Sequence, residues 1–214
     1  MTALVVIAKA CIPGRVKTRL HPPFTLEEAA EIAAASLADT LETAATSAVD
    51  RRILFFDGDP EGDGTAALQT ASFRSTGFET IAQPLGSLDE RIAAVFDVLD
   101  EPTLLIGMDT PQVTSWHLRW PSWSDAVLGL SEDGGFWALG MREPRGDLVR
   151  GIPMSRTDTG DRQLAALLGA GLTVERLDVL RDVDTADDAE FVAAQIPWSR
   201  FAGAVSAASS KVVS

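Results

Sequence analysis

The chain has 214 residues, 46% hydrophobic and 23% charged, with a formal net charge of −13, which suits one domain with a sizeable core and argues against nucleic acid or an anionic membrane surface as main partner, since both are polyanions. Its single cysteine, Cys11, excludes an internal disulfide and fits a reducing compartment, and no apolar run approaches the ~18–20 residues of a membrane span. With no basic stretch ahead of the first apolar run, as a signal peptide would have, the expectation is a cytoplasmic protein with one domain over residues 1–200 and a low-complexity, loosely docked tail over 201–214.

In chain order, the apolar run 3–7 predicts a buried strand. It leads into Ala8-Lys9-Ala10-Cys11-Ile12-Pro13-Gly14-Arg15-Val16-Lys17-Thr18-Arg19-Leu20, which holds the four cations of the first 26 residues, whereas all 31 acidic residues come later. Pro13-Gly14 predicts a tight turn whose backbone amides can approach a ligand. Lys9, Arg15, Lys17 and Arg19 predict an anion site, Arg offering forked donors and Lys a point charge. The loop fits neither the Walker A spacing nor G-x-G-x-x-G, and a solvated basic turn is the bland alternative.

The capping box Thr25-Leu26-Glu27-Glu28 predicts a helix to about residue 45. Strands follow at 52–56 and 79–82, then a helix from Ser87-Leu88-Asp89-Glu90 to about residue 99, with Ile92, Val95, Phe96 and Leu99 on one face. The strand at 103–107 runs into Asp109-Thr110-Pro111, which places a carboxylate at a strand end, suited either to Mg²⁺ or to an Asx-turn or cap. Strands at 126–130 and 137–141 flank Ser131-Glu132-Asp133-Gly134-Gly135, a hairpin signal that also suits a ligand lying on the backbone, with Asp133 as an acceptor. Trp116, Trp120, Trp123 and His117 read as loop cover or core, and neither His21 nor His117 has a nucleophile at triad spacing. A helix over 159–168, a strand over 173–177 and a helix from Thr185 to about residue 195 close the pattern. Between the last two, Asp182 and Asp184 fall on one side of an extended Arg181-Asp182-Val183-Asp184-Thr185 segment; one of the two can cap the following helix while the other faces the ligand, and carboxylates at Asp109 and Asp184 would form a two-sided metal cradle. The β/α alternation predicts an α/β architecture with a largely parallel sheet, whose ligands sit beyond the carboxyl ends of the strands.

In four segments the chain resembles a bacterial family of small glycosyltransferase-like proteins with the nucleotide-diphospho-sugar transferase (GT-A) fold, related to 2-phospholactate guanylyltransferase and molybdopterin guanylyltransferase. These are Ala8-Lys9 with Pro13 to Leu20, Gly107 to Pro111, Glu132 to Phe136, and Asp182 to Thr185. The resemblance implies a three-layer α/β/α sandwich with a mostly parallel mixed sheet. It implies phosphate contacts by Lys9, Gly14, Arg15, Lys17 and Arg19, and a metal held by Asp109 and Asp184. Asp133, Gly134 and Gly135 would line the acceptor or sugar side. It also implies nucleotide contact by Gln83, in a Gln83-Pro84-Leu85-Gly86-Ser87-Leu88-Asp89-Glu90-Arg91 segment where Asp89 replaces a glycine of the family pattern. Met154-Ser155-Arg156-Thr157 stands where the family has a Trp-Ser-Thr element.

The resulting expectation is a Mg²⁺- or Mn²⁺-dependent transferase, with Lys17 and Asp109 as its catalytic pair. It would pass a sugar or a nucleotidyl group from a nucleotide-sugar or NTP to a small-molecule acceptor. The alternative is a non-catalytic nucleotide-binding module.

Overall fold

The computed structural model describes residues 2–59 and 77–212. Its strands are β1 (Ala3–Lys9), β2 (Arg51–Asp57), β3 (Glu79–Ala82), β4 (Thr103–Gly107), β5 (Ala126–Ser131), β6 (Phe136–Met141) and β7 (Val174–Leu180). They form one sheet in the order β3-β2-β1-β4-β6-β5-β7. Only β6 runs against its neighbours; β1 pairs in parallel with both β2 and β4, β2 with β3 and β5 with β7. Among the described residues the α-helices are α1 (Leu26–Thr46), α2 (Leu88–Val98), α3 (Thr159–Gly169), α4 (Ala186–Gln195) and α5 (Arg200–Val212).

Side chains alternate across the central strands. Leu4, Val6, Leu54, Phe56, Leu104 and Ile106 pack on one face with Ala30, Ala33 and Leu37 of α1. Val5, Ile53, Phe55 and Leu105 pack on the other with Ile92 and Phe96 of α2 and Leu164 and Leu167 of α3. Covered on both faces, β1 reads as an unbroken apolar run rather than an alternating one. This is the three-layer sandwich with a mostly parallel mixed sheet that the sequence predicts.

Three helices start where capping boxes place them, at Thr25/Glu28, Ser87/Glu90 and Thr185/Asp188. Two features depart from expectation. β7 extends three residues past the predicted end, because β5 carries a register shift that pairs Ser131 with Leu180. The tail is not loosely docked: residues 200–212 form α5, although residues 213 and 214 lie outside the described residues. Phe201, Val205 and Ala208 of α5 are buried with Leu20, Phe24, Ile32 and Val183. Asp39 on α1 accepts from Phe201 N (2.8 Å) and Arg200 N (3.3 Å), satisfying orphan donors at the helix start with a negative charge.

Candidate functional site

β1 to β5 and β7 end on the same edge of the sheet, and a cleft of about 490 Å³ opens there. The basic loop leaves β1 through Ile12-Pro13-Gly14-Arg15, in which Arg15 N donates to Ile12 O (3.0 Å) and Gly14 has φ 75°. Pro and Gly at these central positions are those of a type II turn, which requires positive φ at the Gly. A 3-10 turn at Thr18–Leu20 then sets Lys17 and Arg19 on the cleft, with Leu20 buried beneath them.

Lys17 stands at the centre of the charge network. Its Nζ lies 2.8 Å from Asp109 Oδ2 and 3.0 Å from Asp184 Oδ1, and its side chain is 9% exposed. Arg19 pairs with the other oxygen of Asp184. Burial pushes the Lys17 ammonium down, but the charges and hydrogen bonds of Asp109 and Asp184 outweigh it, so its pKa is raised. The two carboxylates therefore do not face each other across an open gap, as a metal pair would; an ammonium lies between them. Among the described residues, the three carboxylates that converge are Asp133, Asp182 and Asp184, with ligand oxygens all within 4.8 Å of one another. Burial, then the nearby charges of Asp133 and Asp184, push the Asp182 carboxyl up to about 6.

Backbone contacts bring these segments together. Val183 N donates to Asp109 O (2.9 Å), Glu132 N to Leu180 O (3.0 Å), and Gln112 Nε2 to Arg181 O (2.6 Å). Ser36 Oγ of α1 holds Met108 O (2.7 Å) from below. The β5–β6 turn is the hairpin its sequence signals, with Asp133 Oδ1 accepting from Gly135 N (2.8 Å). It is also docked: Gly160 N donates to Gly134 O (2.8 Å), and a Cβ on Gly134 would lie 2.0 Å from Thr157 O. Glycine at 134 is thus required by close approach as well as by φ 89°.

Lys9, Lys17, Arg19, Asp109, Asp133, Gly135, Asp182 and Asp184 all line the cleft. Arg15 and Gly14, though in the same loop, are not among its lining residues, and neither is Gly134. Gln83 lines it, but its amide is committed to the protein. Nε2 donates to Ala8 O and Phe55 O (both 2.8 Å), and Oε1 accepts from Arg91 Nη1 (2.8 Å). A nucleotide contact by the Gln83 amide would require breaking these bonds. Trp116 and Trp123 are exposed on a surface loop, outside the cleft lining. Sequence reasoning gave no role to Arg91, which closes the Gln83–Arg91 segment, or to the apolar wall of Ile7, Leu88, Ile92, Leu105, Phe136 and Met154. A capping-box helix opening at a strand edge was the available signal for Arg91.

Among solved structures, the chain is similar to the "putative nucleotide-diphospho-sugar transferase" of Desulfovibrio desulfuricans G20, at 24% identity and TM-score 0.75, over 86% of this chain and 83% of that one. It is similar at 12% identity and TM-score 0.53 to CMP:2-keto-3-deoxy-manno-octonic acid synthetase complexed with CTP, over 92% of this chain and 99% of that one. The 4-diphosphocytidyl-2C-methyl-D-erythritol synthase of Anaerococcus prevotii DSM 20548 gives the same identity and TM-score, over 91% and 96% of the two chains. These likenesses establish a nucleotide-diphospho-sugar transferase fold. No curated protein matches the sequence. A family model described as "Uncharacterized protein conserved in bacteria (DUF2064)" matches residues 40–156, more than half of the chain, and the chain belongs to that family.

Proposed function

We propose that this chain is a metal-dependent transferase that takes an activated nucleotide, an NTP or a nucleotide-sugar, as donor and a small molecule as acceptor. The observation that carries this reading is the convergence, in one cleft, of the cations Lys9, Lys17 and Arg19 with the carboxylates Asp109, Asp133, Asp182 and Asp184. Solved structures of the same fold include a synthetase complexed with CTP, which agrees with a nucleotide in this cleft.

The donor set fits Mg²⁺ or Mn²⁺, hard cations that take carboxylate oxygens and keep room for phosphate and water. Asp133, Asp182 and Asp184 would hold the ion, with Asp109 joining if Lys17 turns to the phosphates. Bound there, it would neutralise phosphate charge and stabilise the departing oxygen. The chain's own residues have clear tasks. Lys9 and Arg19 meet the phosphate chain, Lys17 absorbs negative charge near Asp109, and the apolar wall excludes water from one side. Three cations suit a departing pyrophosphate, which favours nucleotidyl over glycosyl transfer.

Incubation with a panel of NTPs and nucleotide-sugars, Mg²⁺ and candidate acceptors tests this reading by release of pyrophosphate or of free nucleoside diphosphate. Failure of every nucleotide to bind overturns it. One observation favours the non-catalytic alternative: Asp109 and Asp184 are already paired with Lys17, and Asp184 with Arg19 as well. Nucleotide binding without product across the acceptor panel would support that module. The metal assignment is tested separately by Mn²⁺ binding, which should weaken about tenfold or more in Asp182→Asn and Asp133→Asn and less in Asp109→Asn. The reverse order would return the site to the Asp109–Asp184 pair.

A further inference from the structure

We infer that the half of the cleft between the β5–β6 turn and the loop before α3 takes an uncharged hydroxyl compound as acceptor, and rejects phosphorylated or carboxylated ones. The inference rests on the transferase reading above and deepens it by naming the chemical class of the acceptor.

The loop at residues 153–156 is shaped by Thr159, which is 2% exposed. Its hydroxyl donates to Pro153 O (2.8 Å) and accepts from Arg156 N (3.1 Å), drawing the two ends of the loop together. The residues between them, Met154 and Ser155, line the cleft. Ser155 has φ 56°, a backbone conformation that costs a non-glycine residue energy and that gathers where ligands are held. Phe136, at the start of β6, lines the cleft as well. Phe136 and Met154 are only partly buried against the same core cluster, so both keep apolar surface for a ligand.

Charge decides which ligand that is. From residue 131 onward the cleft lining contains Asp133, Asp182 and Asp184 and, among the described residues, no Lys or Arg. The arginines of the flanking segments are committed elsewhere: Arg156 and Arg162 pair with Asp158, and Arg181 with Glu132. None of the three lines the cleft. The start of α3 offers an anion little, because Thr159 N donates to Arg156 O and Gly160 N to Gly134 O. Asp161 adds negative charge to that first turn. The lining cations come from earlier in the chain: Lys9, Lys17 and Arg19 suit the donor phosphates, and Arg91 is held by Gln83 and Asp57.

A divalent ion held by the three carboxylates does not outweigh them. A phosphate or carboxylate on the acceptor would therefore meet like charge without a counter-ion, which excludes such ligands. Ionised carboxylates only accept hydrogen bonds, so they suit the O–H groups of a neutral acceptor, while Phe136 and Met154 suit its C–H surface. In nucleotidyl transfer the acceptor oxygen bonds to the α-phosphorus of the donor, the bond from that phosphorus to pyrophosphate breaks, and the hydroxyl proton is released to water.

The test uses the full chain saturated with Mg²⁺ and the tightest-binding nucleotide of the panel above, and titrates matched pairs by ligand-observed NMR. The pairs are glycerol against glycerol phosphate, glucose against glucose phosphate, and propanediol against lactate. In at least one pair the neutral member should bind, about fivefold or more tightly than its anionic partner. Met154→Lys adds a cation to this half and should bring that pair to within about twofold. Ser155→Gly suits the left-handed backbone, and should weaken the neutral member about threefold, the scale of one hydrogen bond, with nucleotide affinity unchanged. Tighter or equal binding of the anionic members, binding of neither member in any pair, or an unchanged ratio in Met154→Lys overturns the inference and leaves the nucleotide reading standing. Binding of no nucleotide overturns both.

Discussion

Lys17 adopts left-handed backbone (φ 46°) at the one position where its ammonium reaches both Asp109 and Asp184. That conformation costs a non-glycine residue about 1–2 kcal/mol, so the ion pairs hold it there. Lys17→Met keeps the backbone cost, removes the ammonium and leaves two carboxylates with a weaker counter-charge. It should lower stability to urea by about 2 kcal/mol, the scale of hydrogen bonds to charged groups. An unchanged unfolding midpoint would mean that the pairs contribute only to ligand binding. The raised pKa of Lys17 makes this contribution complete below its ordinary value and lost only as pH rises through the folded one. His117 gives the opposite dependence. Burial holds its pKa below the usual histidine value, and the nearby Asp178 offsets this only in part. The folded state therefore binds fewer protons than the unfolded one near pH 6, so its contribution is full above about 6.5 and declines as pH falls. Urea midpoints at pH 7.5 and 5 should diverge more for the native chain than for His117→Gln; equal divergence would show that His117 is not the group responsible.

At the scale of elements, the β5–β6 hairpin is held by contact with the residues before α3, and two glycines separate that contact from backbone conformation alone. Gly134 and Gly151 have nearly the same φ, 89° and 87°, but a Cβ on Gly134 would meet Thr157 O at 2.0 Å whereas one on Gly151 meets nothing within 4 Å. Gly151→Ala should cost about 1 kcal/mol from backbone strain. Gly134→Ala should cost about 3 kcal/mol or more, because backbone must shift to admit the methyl, and it should weaken Mn²⁺ binding by displacing Asp133. Equal costs would mean that the turn is free to lift. The elements the sequence made legible are those whose signals are local. The boxes at Thr25, Ser87 and Thr185 mark helix starts within four residues, and Asp133-Gly134 marks its turn. What the sequence did not disclose is long-range. Lys17 meets Asp184 across 167 positions, and Gln83 takes its partners from β1 and β2, so neither commitment has a local trace. The helix α5 was hidden differently. Its Ala, Ser and Gly content resembles a linker, but Phe201, Val205 and Ala208 carry a helical spacing that identifies a buried face.

For the molecule as a whole, α5 connects stability to the site. The cluster that buries Phe201 also contains Leu20 and Val183. Leu20 follows Arg19 in the basic loop, and Val183 lies between Asp182 and Asp184, so both charged segments rest on the core that the C-terminal helix completes. Phe201 is fully buried, and its replacement by Ala should cost about 3–5 kcal/mol in transfer and cavity terms. Trp198, three residues before Phe201 and 82% exposed, serves as the control: Trp198→Ala should change stability by about 0.5 kcal/mol or less. The two variants should also differ in ligand binding. If the core positions the loops, Phe201→Ala weakens nucleotide affinity per folded molecule, measured where the variant remains mostly folded, and the loss is larger for triphosphates than for monophosphates if, as proposed, the basic loop meets the phosphate chain. A destabilised Phe201→Ala chain with native affinity and native triphosphate preference would show instead that the Lys17–Asp109–Asp184 network holds the loops in register without help from the helix.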